Sequence, residues 1–329
     1  MTSHTIAILG AGSWGTAVGI HLARHGHRVL LWGHDPNHIT QLQQHRCNTR
    51  FLPDFPFPEG LEPVSDLTLC QAPDIFVIIA IPSHGFTALL DKLTPPKQGI
   101  AWLTKGLNPE DQALLSQIVA NRWGADYPVA AISGPSFAKE VAQNLPTALT
   151  LASNNQPYQK VLQKLLHKGH LRVYFNADLI GVQICGAVKN VLAIACGIAD
   201  ALELGANTRA ALITRGLAEM RRLGMALGAQ EETFAGLAGL GDLVLTCTDN
   251  QSRNRRFGLL LGQGHNATDA EAAIGQVVEG RQNAKQVYEL AQKYQVEMPI
   301  TFNVHSILEE KISPKQAVVN LLSRAVKME

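Results

Sequence analysis

The chain has 329 residues, of which 46% are hydrophobic and 17% charged, so it can bury a large core and has a length typical of two domains. The formal net charge of +1 argues against nucleic acid as the main partner, because nucleic-acid-binding proteins usually carry a basic excess. Five scattered cysteines without metal-ligand spacing predict no metal site and favour a reduced, cytoplasmic location. The chain starts without a basic segment and a cleavage site, so no signal peptide is expected.

The first motif lies at residues 5–15, TIAILGAGSWG, where an apolar run ends in Gly10, Gly12 and Gly15. A predicted helix over Thr16–Arg24 follows directly. This is the Gly-x-Gly-x-x-Gly pattern of a dinucleotide-binding turn between a strand and a helix. The first glycine allows a tight turn, the second lets the backbone approach a pyrophosphate, and the third lets the helix lie close to the sheet. The sequence therefore predicts that the helix N-terminus binds the phosphates of a dinucleotide.

A second strand is predicted over Arg28–Trp32. An acidic residue near the end of this strand normally binds the ribose of NAD. Here Gly33 and His34 come first and the acid, Asp35, comes late, so this end of the site is expected to tolerate the 2′-phosphate of NADP. A second interpretation, compatible with the first, is that His34 and Asp35 simply open the predicted helix Pro36–Cys47, with Asp35 as its N-cap.

The rest of the N-terminal half alternates between predicted strands and helices. The proline-rich residues 51–63 predict an ordered loop without regular structure. Further apolar or β-branched runs predict buried strands over 74–81, 99–104, 129–133, 147–153 and 171–175. Because helical segments separate most of these runs, we expect a parallel, doubly wound sheet.

The pattern changes near Asn176, and the remaining chain is predicted to be helical. Its first element is one long apolar helix, Asp178–Leu202, which contains Lys189 and is therefore interpreted as a core helix rather than a membrane span. The sequence predicts an α/β, Rossmann-type domain over residues 1–177 and an all-α domain over residues 178–329. Later helices are predicted over Thr208–Leu227, Ser252–Gly262, Gly280–Tyr294 and Pro299–Glu309.

Ligands of a doubly wound sheet bind beyond the carboxyl ends of its strands. Lys105 follows one predicted strand and could reach a bound anion there, although a surface lysine is an equal alternative. In the segment SGPSFAKE, Gly134 permits close approach of a ligand, and Ser136 is expected at a helix start with its hydroxyl and N–H groups directed outward. An ordinary capped helix would need the same residues.

Lys189 lies inside the long apolar helix, where a lysine costs stability unless it is paired or lies at a cleft. Desolvation or a second cation would lower its pKa toward neutrality. A lysine of that kind can act as a general acid–base when a hydroxyl and a carbonyl interconvert. The alternative is a side chain whose stem crosses apolar surface and whose ammonium reaches solvent.

A glycine-rich stretch from residue 236 leads to Asp242 and then to Ser252, a good N-cap. Arg253 and Asn254 fall in the first turn of the next helix. Arginines there oppose the helix dipole, so they favour a phosphate site over helix stability. A further loop ends at Glu279, which is more often a helix cap than a ligand. The alternative for the arginines is a solvated basic face made of Arg253, Arg255 and Arg256.

Eight motifs occur in order along the chain: GAGSWGTA, LWGHDP, NTRFLPD, TKG, SGPSFAKE, CGAVKN, GLAGLGDL and SRNRRFG. In this order they resemble the bacterial NAD(P)-dependent sn-glycerol-3-phosphate dehydrogenases. Members of that family have a Rossmann domain and a helical domain and are commonly dimeric. They reduce dihydroxyacetone phosphate to sn-glycerol 3-phosphate for phospholipid synthesis in the cytoplasm.

The resemblance implies a role for each matching residue. Lys189 is the proton donor and acceptor, and Lys105 adds positive charge near the reacting oxygen. Besides the three glycines of the first turn, the implied contacts of NADP(H) or NAD(H) are Ser13, Trp14, His34, Lys105, Ala138, Arg253, Val277 and Glu279. The implied substrate contacts are Lys105, Gly134, Ser136, Lys189, Asp242, Ser252, Arg253 and Asn254. Ser136 stands where many members have threonine and keeps the hydroxyl.

Two other functions stay open at this point. One is a related two-domain reductase of the β-hydroxyacid or ketopantoate type, whose carboxylate substrate would not need the SRNRRFG phosphate site. The other is a non-catalytic protein that senses a nucleotide, against which an intact Lys189 argues. The sequence leaves the preference between NADPH and NADH open.

Overall fold

The computed structural model describes residues 3–324. The chain folds into two compact units. The first comprises Met1–Asn108 and Ala113–Gln183, and the second comprises Pro109–Gln112 and Ile184–Glu329.

The first unit alternates strands and helices, as predicted. Its strands are β1 Thr5–Leu9, β2 Arg28–Trp32, β3 Cys47–Asn48, β4 Leu52–Pro56, β5 Leu61–Val64, β6 Phe76–Ile79, β7 Ile100–Trp102, β8 Val129–Ser133, β9 Thr147–Ser153 and β10 Leu171–Asn176. Its helices are α1 Ser13–Arg24, α2 Pro36–His45, α3 Phe86–Leu90, α4 Leu115–Trp123, α5 Ala138–Ala142 and α6 Gln156–Leu166. Short 3₁₀ turns lie at Leu67–Cys70 and Ser83–Gly85.

The main sheet has eight strands in the order β10-β9-β8-β7-β6-β1-β2-β5. β1 lies between β2 and β6, and Ile6 pairs with Val29 on one side and with Phe76 on the other. Among the described residues, all neighbouring strands of this sheet run parallel except β8 and β9. The doubly wound fold is therefore confirmed, with one antiparallel pair that the sequence did not predict. The carboxyl ends of β1, β2, β6, β7 and β8 lie at one edge of the sheet.

The prediction that residues 51–63 lack regular structure is wrong. β4 pairs with β3 in a small antiparallel ladder, and β5 extends the main sheet beside β2. β5 contains Pro63, which cannot donate a backbone hydrogen bond. A strand at the edge of a sheet tolerates this loss because one side of its ladder has no neighbour.

Helix bounds in this unit differ from the predicted ones by a few residues. α1 begins at Ser13 instead of Thr16, directly after the glycine-rich turn. α2 ends at His45 because Arg46 adopts the left-handed conformation, with φ 49°, before the chain enters β3. Asp35 is the N-cap of α2, as predicted, and its carboxylate accepts a hydrogen bond of 3.0 Å from the backbone N–H of Asn37.

The described part of the second unit is helical, as predicted. Its helices are α7 Leu179–Ala201, which begins in the first unit, α8 Gly205–Ala226, α9 Glu231–Ala235, α10 Asp242–Thr248, α11 Arg253–Gly262, α12 Ala267–Ile274, α13 Glu279–Lys293, α14 Pro299–Leu308 and α15 Pro314–Leu322. A π-helical turn over Leu237–Gly241 leads into α10.

The glycine-rich segment from residue 236 is mostly helical, since the π-helical turn and α10 cover residues 237–248. A Cβ atom at Gly239 would collide with the backbone carbonyl of Phe234. This glycine therefore serves close packing within a compact helical corner and does not mark a flexible loop.

α7 is the apolar helix that the sequence predicted. By length and composition it could cross a membrane, but 89% of its most apolar 18-residue stretch is buried inside the protein. Such burial is that of a core helix.

One buried histidine makes the first unit sensitive to acid. His21 lies in α1 with 3% of its surface exposed, and its Nε2 atom is 2.9 Å from the carbonyl oxygen of Leu166. The pKa of His21 is lowered from 6.5 to about 4, mainly by burial and to a smaller extent by the nearby charges of His25 and Arg24. The hydrogen bond to Leu166 acts in the opposite direction.

We predict that replacing His21 with Gln reduces the loss of stability in acid. Between pH 6.5 and pH 4 the unfolded chain binds a proton at this position and the folded chain does not, so stability falls as the pH falls. This effect amounts to about 2 kcal/mol between about pH 7.5 and pH 5. Urea unfolding at both pH values measures it, and the exposed His45→Gln variant is the control. Equal pH dependence in the wild-type protein and the His21→Gln variant would contradict the prediction.

Candidate active site

The glycine-rich turn between β1 and α1 has the geometry of a dinucleotide site. Gly10 has φ 137°, and a Cβ atom there would collide with the carbonyl of Ala80. A Cβ atom at Gly15 would collide with the carbonyl of Gly10, so both glycines are required by packing. Beside Gly12, in contrast, a Cβ atom would meet no described atom within 4 Å.

The first turn of α1 is suited to bind an anion. Gly12 is the N-cap of α1 and has no side chain to cap the helix, and the first turn carries no acidic residue. The N–H groups and the dipole of such a helix end attract phosphate. The open space beside Gly12 leaves the backbone accessible to the pyrophosphate of a dinucleotide. Ser13 and Trp14 are the first two residues of this helix, and Trp14 packs against the core.

The residues that follow β2 were predicted to lie near the ribose of the cofactor. Because the Asp35 carboxylate caps α2, the interpretation that this residue opens the helix is confirmed. His34 is exposed directly before it. At Gly33 a Cβ atom would lie 2.8 Å from the Cδ1 atom of Ile39, so the turn after β2 packs closely against α2.

Sequence reasoning missed Asn48, which is fully buried beneath the glycine-rich turn. Its Nδ2 atom donates hydrogen bonds of 3.0 Å to the carbonyl of Ala11 and 2.8 Å to the hydroxyl of Thr16. Its Oδ1 atom accepts a hydrogen bond of 3.2 Å from the N–H of Phe51. These hydrogen bonds hold the glycine-rich turn in place. In the sequence, the only indication that Asn48 has a role was its position as the first residue of the motif NTRFLPD.

The predicted residues at the ends of β7 and β8 converge on one carbonyl. The Lys105 ammonium donates to the oxygen of Gly134 at 3.4 Å, and the Ser136 hydroxyl donates to the same oxygen at 3.0 Å. The expectation that Ser136 starts a helix is wrong, because α5 begins at Ala138 and its N-cap is Phe137. The chain bends at Gly134, where φ is 127°, and at Pro135, and the Ser136 hydroxyl points back to the carbonyl of Gly134.

Lys189 is buried and paired in the second unit. Only 5% of the residue is exposed, and its ammonium donates to the carboxylate of Asp242 at 2.5 Å and to the hydroxyl of Thr246 at 3.0 Å. The alternative of a lysine that reaches solvent is therefore wrong. The expected desolvation is present, and a carboxylate in direct contact stabilises the ammonium form of the side chain.

Thr246 was not predicted as part of the site. It lies four residues after Asp242 on α10, so both side chains lie on one face of that helix. Its hydroxyl donates to the backbone carbonyl of Asp242 at 2.6 Å, which directs the hydroxyl oxygen to accept from Lys189. The four-residue spacing of Asp242 and Thr246 would have placed them on one helix face only if α10 had been predicted as a helix.

Both side chains of this ion pair are buried, with 7% of Lys189 and 1% of Asp242 exposed. The thiol of Cys247 lies nearby with a hydrogen-bond contact to Cys196. Burial raises the pKa of the Cys247 thiol, to which Cys196 also contributes. The Cys247 thiol is therefore a neutral neighbour of the charged pair.

The first turn of α11 gathers the remaining predicted substrate residues. Ser252 is the N-cap, as predicted, and its hydroxyl accepts a hydrogen bond of 3.2 Å from the N–H of Arg255. Arg253 donates to the side-chain oxygen of Gln276 at 3.2 Å. Burial lowers the pKa of Arg253, while the charge of Glu279 opposes this effect. A half-buried guanidinium thus lies at a helix N-terminus without acids in its first turn.

Asn254 connects this helix end to Lys189. Its side chain donates to Asn190 at 2.9 Å and accepts from the N–H of Gly280, also at 2.9 Å. Asn190 directly follows Lys189 in α7. The structure therefore links Lys189, Asp242 and the first turn of α11 within the second unit.

The three arginines of SRNRRFG have different surroundings. The alternative of a solvated basic face is correct for Arg256, which is exposed. It is wrong for Arg255, which is 8% exposed, and for the half-buried Arg253. Two further predicted positions, Val277 and Glu279, lie around the start of α13, and Val277 is 41% exposed. Glu279 is the first residue of this helix and not its cap, which is Val278.

Comparison with known proteins identifies the family. The sequence profile described as NAD-dependent glycerol-3-phosphate dehydrogenase N-terminus matches residues 5–159, and the profile of the C-terminus matches residues 178–319. The chain belongs to the NAD-dependent glycerol-3-phosphate dehydrogenase family. The resemblance deduced from the eight motifs is thereby confirmed.

Relatives in this family match over the whole chain. The glycerol-3-phosphate dehydrogenase [NAD(P)+] of Legionella pneumophila (strain Paris) is 59% identical over 329 residues, which is 100% of each chain. That of Shigella boydii serotype 18 is 53% identical, covering 99% of this chain and 97% of the relative. The crystal structure of glycerol-3-phosphate dehydrogenase from Coxiella burnetii has a TM-score of 0.94 at 52% identity, covering 98% of this chain and 99% of that one.

More distant structures share only the fold. A D-mandelate dehydrogenase has a TM-score of 0.63 at 16% identity, covering 95% of this chain and 99% of that one. A ketopantoate reductase from Ralstonia eutropha JMP134 has a TM-score of 0.61 at 15% identity, with the same coverage. The family is therefore assigned from sequence identity, because the fold alone is common to several kinds of reductase.

We predict that Lys189 and Asp242 are strongly coupled in stability. Replacing either partner alone, as Lys189→Met or Asp242→Asn, leaves the charge of the other partner buried without compensation. We expect each single variant to lower the free energy of unfolding by about 3 kcal/mol. The double variant should cost much less than the sum of the two, because neither charge then remains. Urea unfolding of the four proteins gives the coupling energy.

The exposed pair Arg28–Glu62 is the control for this cycle. Its atoms lie 2.9 Å apart, but both side chains are more than half exposed, so its coupling should stay below about 1 kcal/mol. If the stability losses of Lys189→Met and Asp242→Asn simply added up in the double variant, the two residues would not be coupled and the prediction would be wrong.

Proposed function

We propose that this protein is an NAD(P)-dependent sn-glycerol-3-phosphate dehydrogenase that interconverts dihydroxyacetone phosphate and sn-glycerol 3-phosphate. The observation that carries the proposal is the buried Lys189–Asp242 pair, linked through Asn190 and Asn254 to a helix N-terminus that bears Arg253. A proton donor and a phosphate-binding helix end are thus held together in one unit. Family membership and identities above 50% over the full chain support the same reaction.

Lys189 provides the proton for the reduction. As an ammonium it donates a proton to the oxygen of the substrate carbonyl, where negative charge develops. In the reverse direction the neutral amine removes the proton of the hydroxyl group. Asp242 and Thr246 keep the side chain in place and stabilise its charged form. We assign Lys105 to the substrate as well, on the basis of the resemblance and its position at the end of β7.

The first turn of α11 is proposed to bind the substrate phosphate. Its backbone N–H groups and the Arg253 guanidinium provide positive charge, and no acid in this turn competes for them. A phosphate held there orients the carbonyl toward its reaction partners. This role favours the proposed reaction over that of a ketopantoate-type reductase, whose carboxylate substrate needs no such site.

The first unit is proposed to bind the dinucleotide. The residues that would hold it are Gly10, Gly12 and Gly15 with Ser13 and Trp14, and the open space beside Gly12 leaves the backbone accessible to its pyrophosphate. When bound, the nicotinamide supplies or accepts the hydride that this chain cannot provide itself. Further proposed contacts, taken from the resemblance, are His34, Lys105, Ala138, Arg253, Val277 and Glu279.

Location and assembly belong to the same proposal. We infer a cytoplasmic protein from the resemblance and from the five scattered cysteines, none of which forms a disulfide in the structure. A homodimer is inferred from the resemblance alone.

A spectrophotometric assay tests the reaction. We expect dihydroxyacetone phosphate to trigger oxidation of NADPH, NADH or both, and separate runs with each cofactor give the preference. In the Lys189→Met variant, kcat should fall about a thousandfold because the proton donor is lost. Its dissociation constant for the reduced cofactor should stay within about twofold of wild type, because Lys189 is not among the proposed cofactor contacts.

Other outcomes would overturn the proposal. Oxidation triggered by ketopantoate but not by dihydroxyacetone phosphate would favour the related reductases. Tight binding of the cofactor without turnover of either substrate would favour a nucleotide sensor. Near-normal kcat in the Lys189→Met variant would remove the role assigned to that residue.

We predict that Arg253→Ala raises the KM for dihydroxyacetone phosphate about tenfold to a hundredfold, because a charge-assisted contact to phosphate is lost. Arg256→Ala is the matched control, since Arg256 is an exposed arginine on the same helix. Its KM should stay within about threefold of wild type. An unchanged KM in the Arg253→Ala variant would place the phosphate site elsewhere.

A further inference from the structure

Arg255 reaches from α11 to the ends of two other helices. Its Nε atom donates to the carbonyl of Cys247 in the last turn of α10, at 3.1 Å. One Nη atom contacts the side-chain oxygen of Asn250, which lies in the loop after α10. The other Nη atom is 2.5 Å from the carboxylate of Asp200, the next-to-last residue of α7. A single side chain thus joins α7, α10 and α11.

The buried charge of Arg255 is well compensated. Its side chain is 9% exposed, and that of Asp200 is 12% exposed. The C-terminal ends of α7 and α10 carry the negative ends of their helix dipoles, which favour a cation. Asp200 also accepts from Arg209 at 2.9 Å, so its own charge is shared between two arginines.

α7 and α11 pack closely enough to transmit this anchoring. A Cβ atom at Gly197 of α7 would collide with the carbonyl of Arg255, and one at Gly258 of α11 would collide with the carbonyl of Ile194. At Gly262 a Cβ atom would lie 2.6 Å from that of Ala201. The two backbones are therefore in direct contact, and a shift of one helix must move the other.

The helices that Arg255 joins carry the groups of the proposed reaction. α7 carries Lys189, α10 carries Asp242 and Thr246, and the first turn of α11 carries Arg253. We infer that Arg255 is a positioning residue, which fixes the phosphate-binding turn of α11 relative to the Lys189 ammonium. This inference rests on the proposed function and adds a residue that contacts neither substrate nor cofactor.

The geometry explains why an arginine is needed. Its planar group donates in three directions at once, to Cys247, Asn250 and Asp200. A lysine provides one ammonium at the end of a flexible stem and cannot hold these three acceptors in a fixed arrangement. Arg255→Lys therefore keeps the charge and the fold but loosens the connection between the helices.

The test compares two substrates that differ only in the phosphate. We expect Arg255→Lys to lower kcat/KM for dihydroxyacetone phosphate about tenfold or more, because a bound phosphate no longer places the carbonyl correctly. For unphosphorylated dihydroxyacetone, measured at high enzyme concentration, kcat/KM should stay within about twofold of wild type. The ratio of the two values does not depend on the fraction of active enzyme, so partial unfolding cannot mimic the effect.

Competition by inorganic phosphate separates positioning from binding. In the Arg255→Lys variant the inhibition constant of phosphate should remain near that of wild type, because Arg253 and the helix end are intact. A rise in this constant that accounts for the whole loss would make Arg255 part of the phosphate site and overturn the inference. An unchanged ratio of the two substrates would overturn it as well.

Two further variants complete the experiment. Asp200→Asn removes the charge that Arg255 pairs with. Like Arg255→Lys, it should lower the ratio of kcat/KM for dihydroxyacetone phosphate to kcat/KM for dihydroxyacetone. Arg209→Gln is the matched control, because it removes the other cation from Asp200 without touching α11, and its ratio should match wild type. If the wild-type enzyme does not prefer dihydroxyacetone phosphate over dihydroxyacetone, the proposed function itself fails, and this outcome is distinct from a failure confined to Arg255.

Discussion

The buried contact between Lys189 and Asp242 sets the main constraint on the helical unit. A charged pair that has lost its water is stable only if its geometry is fixed and its remaining hydrogen-bonding groups are satisfied. Thr246 supplies the additional acceptor, and this requires a regular α10 with Asp242 and Thr246 on one face. The arrangement that is proposed to make Lys189 a proton donor is therefore also a condition for stable packing of α7 against α10.

Anion binding is proposed at helix N-termini in both units, although the chain has a net charge of only +1. α1 and α11 both lack acids in their first turn, so their N-terminal N–H groups remain attractive to phosphate. α10 and α13 instead start with Asp242 and Glu279. Other helices, such as α2 and α8, also lack acids in their first turn, so this feature permits anion binding but does not select a helix. The glycine-rich turn before α1 and Arg253 at the start of α11 are what single out these two helices.

Local signals were sufficient for much of the fold and part of the site. The limits of β2, β8 and β9 and the N-caps Asp35 and Ser252 follow from short-range chemistry, and the structure has them as predicted. The edge strand around Pro63 and the role of Thr246 depend on residues that are distant in sequence. Proline and glycine normally predict loops, but here partners from elsewhere in the chain stabilise a strand and a packed helical corner.

The motif SRNRRFG shows why residue type alone does not assign a role. Arg253 and Arg255 are two positions apart on a helix, so their side chains leave it in different directions. One is half-buried beside Gln276 and Glu279, where a phosphate is proposed to bind, and the other is buried against Asp200. Arg256 is exposed. Three arginines in one turn thus serve a proposed ligand, the connection between helices, and the surface, and the direction in which each leaves α11 decides which.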